Sequence, residues 1–158
     1  MVSPAEWGPT TWELLHGIAE RVGNQTSLTL IRDEKNEIRL AFRKLAALLP
    51  CQKCQTHYRD WIRRNPPDPI LDRSGEYLQD GLRDWVFRLH EDVNQRREVN
   101  SGITIDTLRD TYLGINIRAN ATTLKGFYKR GIELRIFKPD EWKDAWKHLD
   151  LLLRFIGV

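Results

Sequence analysis

The chain holds two cysteines, Cys51 and Cys54, with Gln52 and Lys53 between them and His57 and Tyr58 just after. Disulfide exchange needs such a pair: one thiolate attacks a sulfur and a second thiol resolves the adduct. Across a helix start the i,i+3 offset puts both sulfurs on one face, and unpaired amides at the helix N-terminus lower the thiol pKa. Pro50 marks that start, since a proline disfavours helical geometry in the residue before it. Other readings stay open. Cys51, Cys54 and His57 could hold zinc, with His16 or His90 as a fourth ligand, or the cysteines could be inert core thiols. A thioredoxin-type domain needs a strand leading into its cysteine pair, and the helical pattern before Pro50 argues against one. Two cysteines this close in sequence cannot staple a large fold.

Two further segments combine a ring with a histidine. Trp12 and His16 are an i,i+4 pair on one side of a helix. Near Trp85 to Arg97, the residues Leu78, Leu82, Trp85, Val86, Leu89 and Val93 form one apolar stripe at about 100° per residue, the expected core. Phe87, His90, Asn94 and Arg97 fall on a different face. An aromatic, a histidine, an amide and a cation together suit a planar ligand with polar edges and a phosphate tail. A plain solvated face would read the same way.

The elements that must position these residues are helical nearly throughout. Pro9 suits a first helical turn, and Trp12, Leu15, Ile18, Ala19 and Val22 then recur at helical spacing as far as Gly23. A second helix is expected from Leu30 to Leu49 and a third from Cys51 to the loop at Pro66-Pro67-Asp68-Pro69. A fourth runs from Ser74 to Glu98 and a short fifth from Thr104 to Leu113. Beyond Asn116 an extension ends in an amphipathic helix that Pro139 opens and Gly157 stops, with Trp142, Trp146, Leu149, Leu153 and Ile156 as its stripe. Ile132 to Phe137 is the one strand-like run.

At 158 residues, 41% hydrophobic and 30% charged, the chain suits one globular domain with a real core. The formal charge is only +3, and the basic pairs Arg63-Arg64 and Arg96-Arg97 are too short to track phosphates, so no nucleic-acid partner is expected. No apolar run is long enough to span a bilayer, and residues 1–10 carry no secretory signal pattern.

Taken in order, Trp7-Gly8-Pro9-x-x-Trp12-x-x-x-His16, Pro50-Cys51-x-x-Cys54-x-x-His57-Tyr58 and Trp85-x-x-x-x-His90-x-x-Val93-Asn94 resemble the Erv/ALR family of FAD-linked sulfhydryl oxidases. The resemblance covers about residues 7 to 115. It implies an all-α fold, a four-helix bundle with a short fifth helix in residues 1–115, and residues 116–158 as an extension packed on that core. By it, Cys51 and Cys54 are the catalytic pair, with Cys51 presenting the exposed sulfur. FAD would be bound by Gly8, Pro9, Thr11, Trp12 and His16, by Tyr58, and by Phe87, His90, Val93 and Asn94. Substrate would be a protein dithiol, presented by a small thioredoxin-like carrier, and oxygen would accept the electrons. Family members are commonly homodimers. Two departures stand out. Glu91 and Val99 replace an asparagine and a lysine of the family pattern, which makes Arg97 the candidate phosphate contact. No cysteine is left for a shuttle disulfide, as in the viral branch, so a cytoplasmic enzyme is expected, with the mitochondrial intermembrane space as the alternative.

Overall fold

A computed structural model describes residues 2–158. The first helix, α1 (Pro4–Ala19), begins earlier than Pro9 suggested. Ser3 caps it: its hydroxyl accepts the Ala5 N–H at 3.3 Å, while the Glu6 carboxylate accepts the Ser3 N–H at 3.1 Å. This reciprocal cap satisfies otherwise orphaned donors, and Pro4 supplies the first-turn proline. Pro9 therefore lies inside the helix, at the cost of one backbone hydrogen bond. Helix α2 (Leu28–Lys44) starts on Ser27, whose hydroxyl accepts the Leu30 N–H at 3.1 Å. It tightens into a 3-10 turn over Leu45–Leu48 before Pro50. Helices α3 (Gln52–Arg64) and α4 (Gly75–Arg96) follow, and then the short α5 (Leu108–Tyr112) behind a 3-10 turn. The all-α expectation holds, and no strand occurs among the described residues.

The bundle closes around Trp85, which is fully buried. Its ring meets Phe42 of α2 edge-on at 5.2 Å and Trp61 of α3 at 5.0 Å, and its Nε1–H donates to the Asn65 carbonyl at 2.8 Å. Such edge-to-face aromatic pairs add to what burial alone contributes. Helix α1 is locked to α4 by a buried charge pair. The Arg83 Nε–H lies 2.7 and 2.8 Å from the two oxygens of Glu20, which is itself buried.

Residues after Asn116 form three helices, where the sequence pattern suggested one. Helix α6 (Ile117–Lys125) buries Ile117, Ala121 and Leu124 and packs along α1. Helix α7 (Tyr128–Glu133) takes up the start of the strand-like run. No neighbouring strand pairs with Ile132–Phe137. Instead the Ile136 and Phe137 N–H groups both donate to the Gly131 carbonyl, at 2.8 and 3.2 Å, in a helix-ending turn through Arg135 at φ 56°. Helix α8 (Pro139–Phe155) packs along α2, where His148 Nδ1 is 2.7 Å from Glu37 and Lys44 pairs with Asp144. No helix among the described residues is long and apolar enough to cross a membrane.

Candidate active site

Cys51 is the N-cap of α3, and its sulfur accepts the Cys54 N–H at 3.2 Å. The two cysteines are joined in a disulfide with Cα atoms 5.2 Å apart. No cluster of three or more metal-ligating side chains occurs among the described residues. The expectation that Cys51 presents the exposed sulfur is not met. Cys51 is 1% exposed, while Cys54 is half-buried. The cause is a contact between distant parts of the chain: Val2 is fully buried, and its N–H donates to the Pro50 carbonyl at 3.3 Å, which lays the N-terminal residues beside Cys51.

The disulfide forms part of the wall of a cleft of about 560 Å³ between α1, α3 and α4. Helix α1 contributes Trp7, Gly8, Thr11, Trp12 and Leu15, and the turn after α2 contributes Leu45 and Leu49. Cys54, His57 and Tyr58 come from α3, and Leu89, Val93, Arg96 and Arg97 from the end of α4. Apolar and aromatic groups line the interior, and Lys53, Arg96 and Arg97 supply cations with no carboxylate on the wall. Lys53 and Arg97 are exposed, whereas Arg96 is engaged with Asp92 at 3.2 Å. Gly8 is buried, yet a Cβ added to it would meet nothing within 4 Å. Its empty side opens on the cleft.

Of the residues singled out in the sequence, Gly8, Thr11, Trp12, Tyr58, Val93, Arg97 and both cysteines line this cleft; Pro9, His16, Phe87, His90 and Asn94 do not. The side of α4 facing the cleft is Leu89, Val93 and Arg96, spaced i, i+4 and i+7, which is one continuous stripe. His90 and Asn94 sit about 100° round the helix from their neighbours on that stripe. Phe87 is half-buried outside the core, and Pro9 is exposed on α1. Trp7, Lys53, His57 and Arg96 are cleft residues that the sequence assignment passed over. Trp7 and His57 stand inside the quoted motifs, and Arg96 is the neighbour of Arg97, so adjacency was the available signal.

His16 and His90 back the cleft through Trp12. The Trp12 ring stacks on His90 with centroids 3.9 Å apart, and His16 stacks on Tyr112 at 4.4 Å. His16 Nε2 and His90 Nδ1 share a hydrogen bond of 2.9 Å. Burial pushes the His16 pKa down to about 3, with His90 adding to the effect, and pushes that of His90 down to about 4. Both rings are therefore neutral at pH 7, and one donates to the other. His16 Nδ1 is buried with no hydrogen-bond partner among the described residues. Tyr58 is buried, which raises its pKa well above the usual phenol value, and its hydroxyl donates to the Phe42 carbonyl. It is a fixed wall rather than an acid.

The chain is similar to known proteins over much of its length. The model of the Erv1 / Alr family matches residues 9–110. The chain is 24% identical over 94 residues to the FAD-linked sulfhydryl oxidase ERV1 of Arabidopsis thaliana, covering 60% of this chain and 44% of the plant protein. It is 28% identical over 95 residues to protein 096R of Invertebrate iridescent virus 3, provisionally named an FAD-linked sulfhydryl oxidase, covering 60% and 58%. A mimivirus protein, R368, provisionally named in the same way, is 28% identical over 94 residues, covering 59% of each chain. The chain thus spans about half the length of the curated relatives it matches. No solved structure matches. Because the family model runs from within α1, through the cysteine pair, into α5, the chain belongs to the Erv1 / Alr family.

Proposed function

We propose that this protein is an FAD-linked thiol oxidase that converts protein dithiols to disulfides, with Cys51 and Cys54 as its redox pair. The observation that carries this reading is a disulfide set in the wall of an aromatic cleft with a cationic rim.

The residues present suit FAD. A volume of about 560 Å³ lies within the range of cofactor pockets. The open side of Gly8 leaves space for a flat ring, and His16 holds an unpartnered buried nitrogen in the layer behind Trp12. Lys53 and Arg97 suit a diphosphate. Gly8, Thr11, Trp12, Tyr58, Val93 and Arg97 would hold the cofactor, with His16 and His90 fixing Trp12 from behind; Pro9, Phe87 and Asn94 have no role in this assignment. FAD bound there would supply a two-electron acceptor for the reduced cysteines, with oxygen as the final acceptor and hydrogen peroxide as the product.

The chain's own part is thiol placement. Cys54 opens on the cleft, while Cys51 backs onto the N-terminal residues and is the sulfur that a substrate thiolate attacks. That attack requires the contact of Val2 with Pro50 to yield. Residues 1–115 carry the reaction, and residues 116–158 brace α1 and α2. A small thioredoxin-like carrier is the substrate class of this reading. Assembly as a homodimer and a cytoplasmic setting complete the reading; sedimentation and cell fractionation test them.

Protein expressed with flavin available should be yellow and should consume oxygen in the presence of dithiothreitol. Cys54→Ser should keep the colour and lose the oxygen uptake. Colourless protein carrying stoichiometric zinc would overturn the proposal.

A further inference from the structure

His57 lies one turn after Cys54 on α3, and both line the cleft. Its side chain is 14% exposed, and Nε2 is 2.7 Å from the Asp92 carboxylate on α4. The same Asp92 oxygen accepts the Arg96 Nε–H at 3.2 Å. A ring that donates Nε2–H to a carboxylate keeps Nδ1 as its acceptor nitrogen, and among the described residues Nδ1 has no hydrogen bond. Positions three apart on a helix hold their Cβ atoms about 5–6 Å apart, so the imidazole and the Cys54 sulfur are neighbours over one cleft.

We propose that His57 is the proton acceptor that keeps Cys54 as a thiolate once the disulfide is reduced, with Asp92 as its positioning residue. The inference rests on the dithiol chemistry proposed above. A substrate thiolate attacks the Cys51 sulfur, the bond to Cys54 breaks, and its electron pair leaves on Cys54. A second substrate thiolate attacks the substrate sulfur joined to Cys51, which forms the substrate disulfide and frees Cys51. The substrate has lost two electrons and two protons, and the cysteine pair has gained both electrons. One proton goes to Cys51 and the other to His57 Nδ1. Cys54 is then a thiolate facing an imidazolium that Asp92 holds in place. Lys53 from α3 and Arg96 and Arg97 from α4 favour the thiolate too, and α1 presents no titratable side chain to the cleft. His57→Gln leaves all of these intact, whereas Asp92→Asn also releases Arg96 from its carboxylate partner.

The measurement is the pH profile of Cys54 alkylation by iodoacetamide in the full chain, reduced and held under nitrogen, read by mass spectrometry of the Cys54 peptide. His57→Gln keeps a side-chain hydrogen bond to Asp92 but cannot take the proton, and Asp92→Asn keeps the shape without the charge. Both should raise the midpoint, His57→Gln by about one unit, which slows alkylation near neutral pH about tenfold. A His57–Asp92 strap serving only to join α3 and α4 would leave the profile of His57→Gln at the wild-type position, and that result overturns the proposal. The profile needs neither flavin nor oxygen. A shifted midpoint in a protein that takes up no oxygen supports the His57 assignment while removing the oxidase reading; normal oxygen uptake with an unmoved midpoint does the reverse.

Discussion

His16 Nε2 and His90 Nδ1 meet at 2.9 Å, joining α1 to α4 across 74 positions of sequence, with neither ring charged at neutral pH. Burial lowers both pKa values, to about 3 and about 4, so between there and the unfolded value near 6.5 the unfolded chain binds more protons than the folded one. Stability is therefore full above pH 6.5 and falls as the pH drops toward 4. Because His90 is partly open to solvent, the loss from the pair is on the order of 3 kcal/mol rather than the sum of two full shifts. Urea unfolding at pH 7 and pH 4.5 measures it. His90→Gln, with one proton site fewer, should show a smaller acid loss; an unchanged loss would show that the buried rings are not its source.

Gly8 separates folding from cofactor binding. A leucine there enters open space rather than a neighbour and raises helix propensity by up to about 1 kcal/mol. Gly8→Leu should therefore unfold at no lower urea concentration than the wild type. Its side chain would fill the cleft: overpacking of about 1–3 kcal/mol lowers flavin affinity roughly 5- to 150-fold, and the purified protein should carry less flavin than the wild type. Full flavin content in that variant would place the cofactor elsewhere.

Gly17 marks a close approach of the extension to the bundle. A Cβ on Gly17 would lie 2.2 Å from Ile117 Cγ2, too near for either helix to ignore. Gly17→Ala should cost about 1–3 kcal/mol through overpacking. Shortening the opposing side chain with Ile117→Ala should recover part of it, as a coupling energy of at least about 0.5 kcal/mol in a double-mutant cycle. Strictly additive losses would mean that α6 shifts freely against α1.

Arg97 and Arg96 are adjacent but unequal. Arg96 is already engaged with Asp92, whereas Arg97 is exposed on the cleft rim and has no ion pair among the described residues. Arg97→Glu should weaken flavin affinity by about three- to tenfold at low salt, and the difference should shrink as salt screens the exposed charge. Titration of flavin-stripped protein, followed by fluorescence, measures both. An unchanged affinity would remove Arg97 from the site.

Local chemistry made much of this molecule legible in its sequence. Helical periodicity gave away the bundle, because each helix must hide one apolar stripe. Pro50 and Cys51 announced the start of α3, because a proline ends the helix before it and a sulfur can cap the helix after it. The same reasoning stumbled where two local signals compete. Ser3 and Pro4 outweighed Pro9 as the start of α1, since a reciprocal cap satisfies donors that a proline alone does not. Ile132–Phe137 alternates like a strand, but without a partner strand the Ile136 and Phe137 N–H groups turned to Gly131. The site depended still more on long-range packing. Which rim of α4 faces the dithiol depends on how α4 rolls against α1 and α3, and that roll put Val93 and Arg97 on the cleft and His90 behind Trp12. The burial of Cys51 beneath residues from the N-terminus, and the bond from His57 to Asp92, join positions far apart in the chain. Spacing along a chain fixes only which residues can share a helix face; which faces then meet is set by the packing of the whole core.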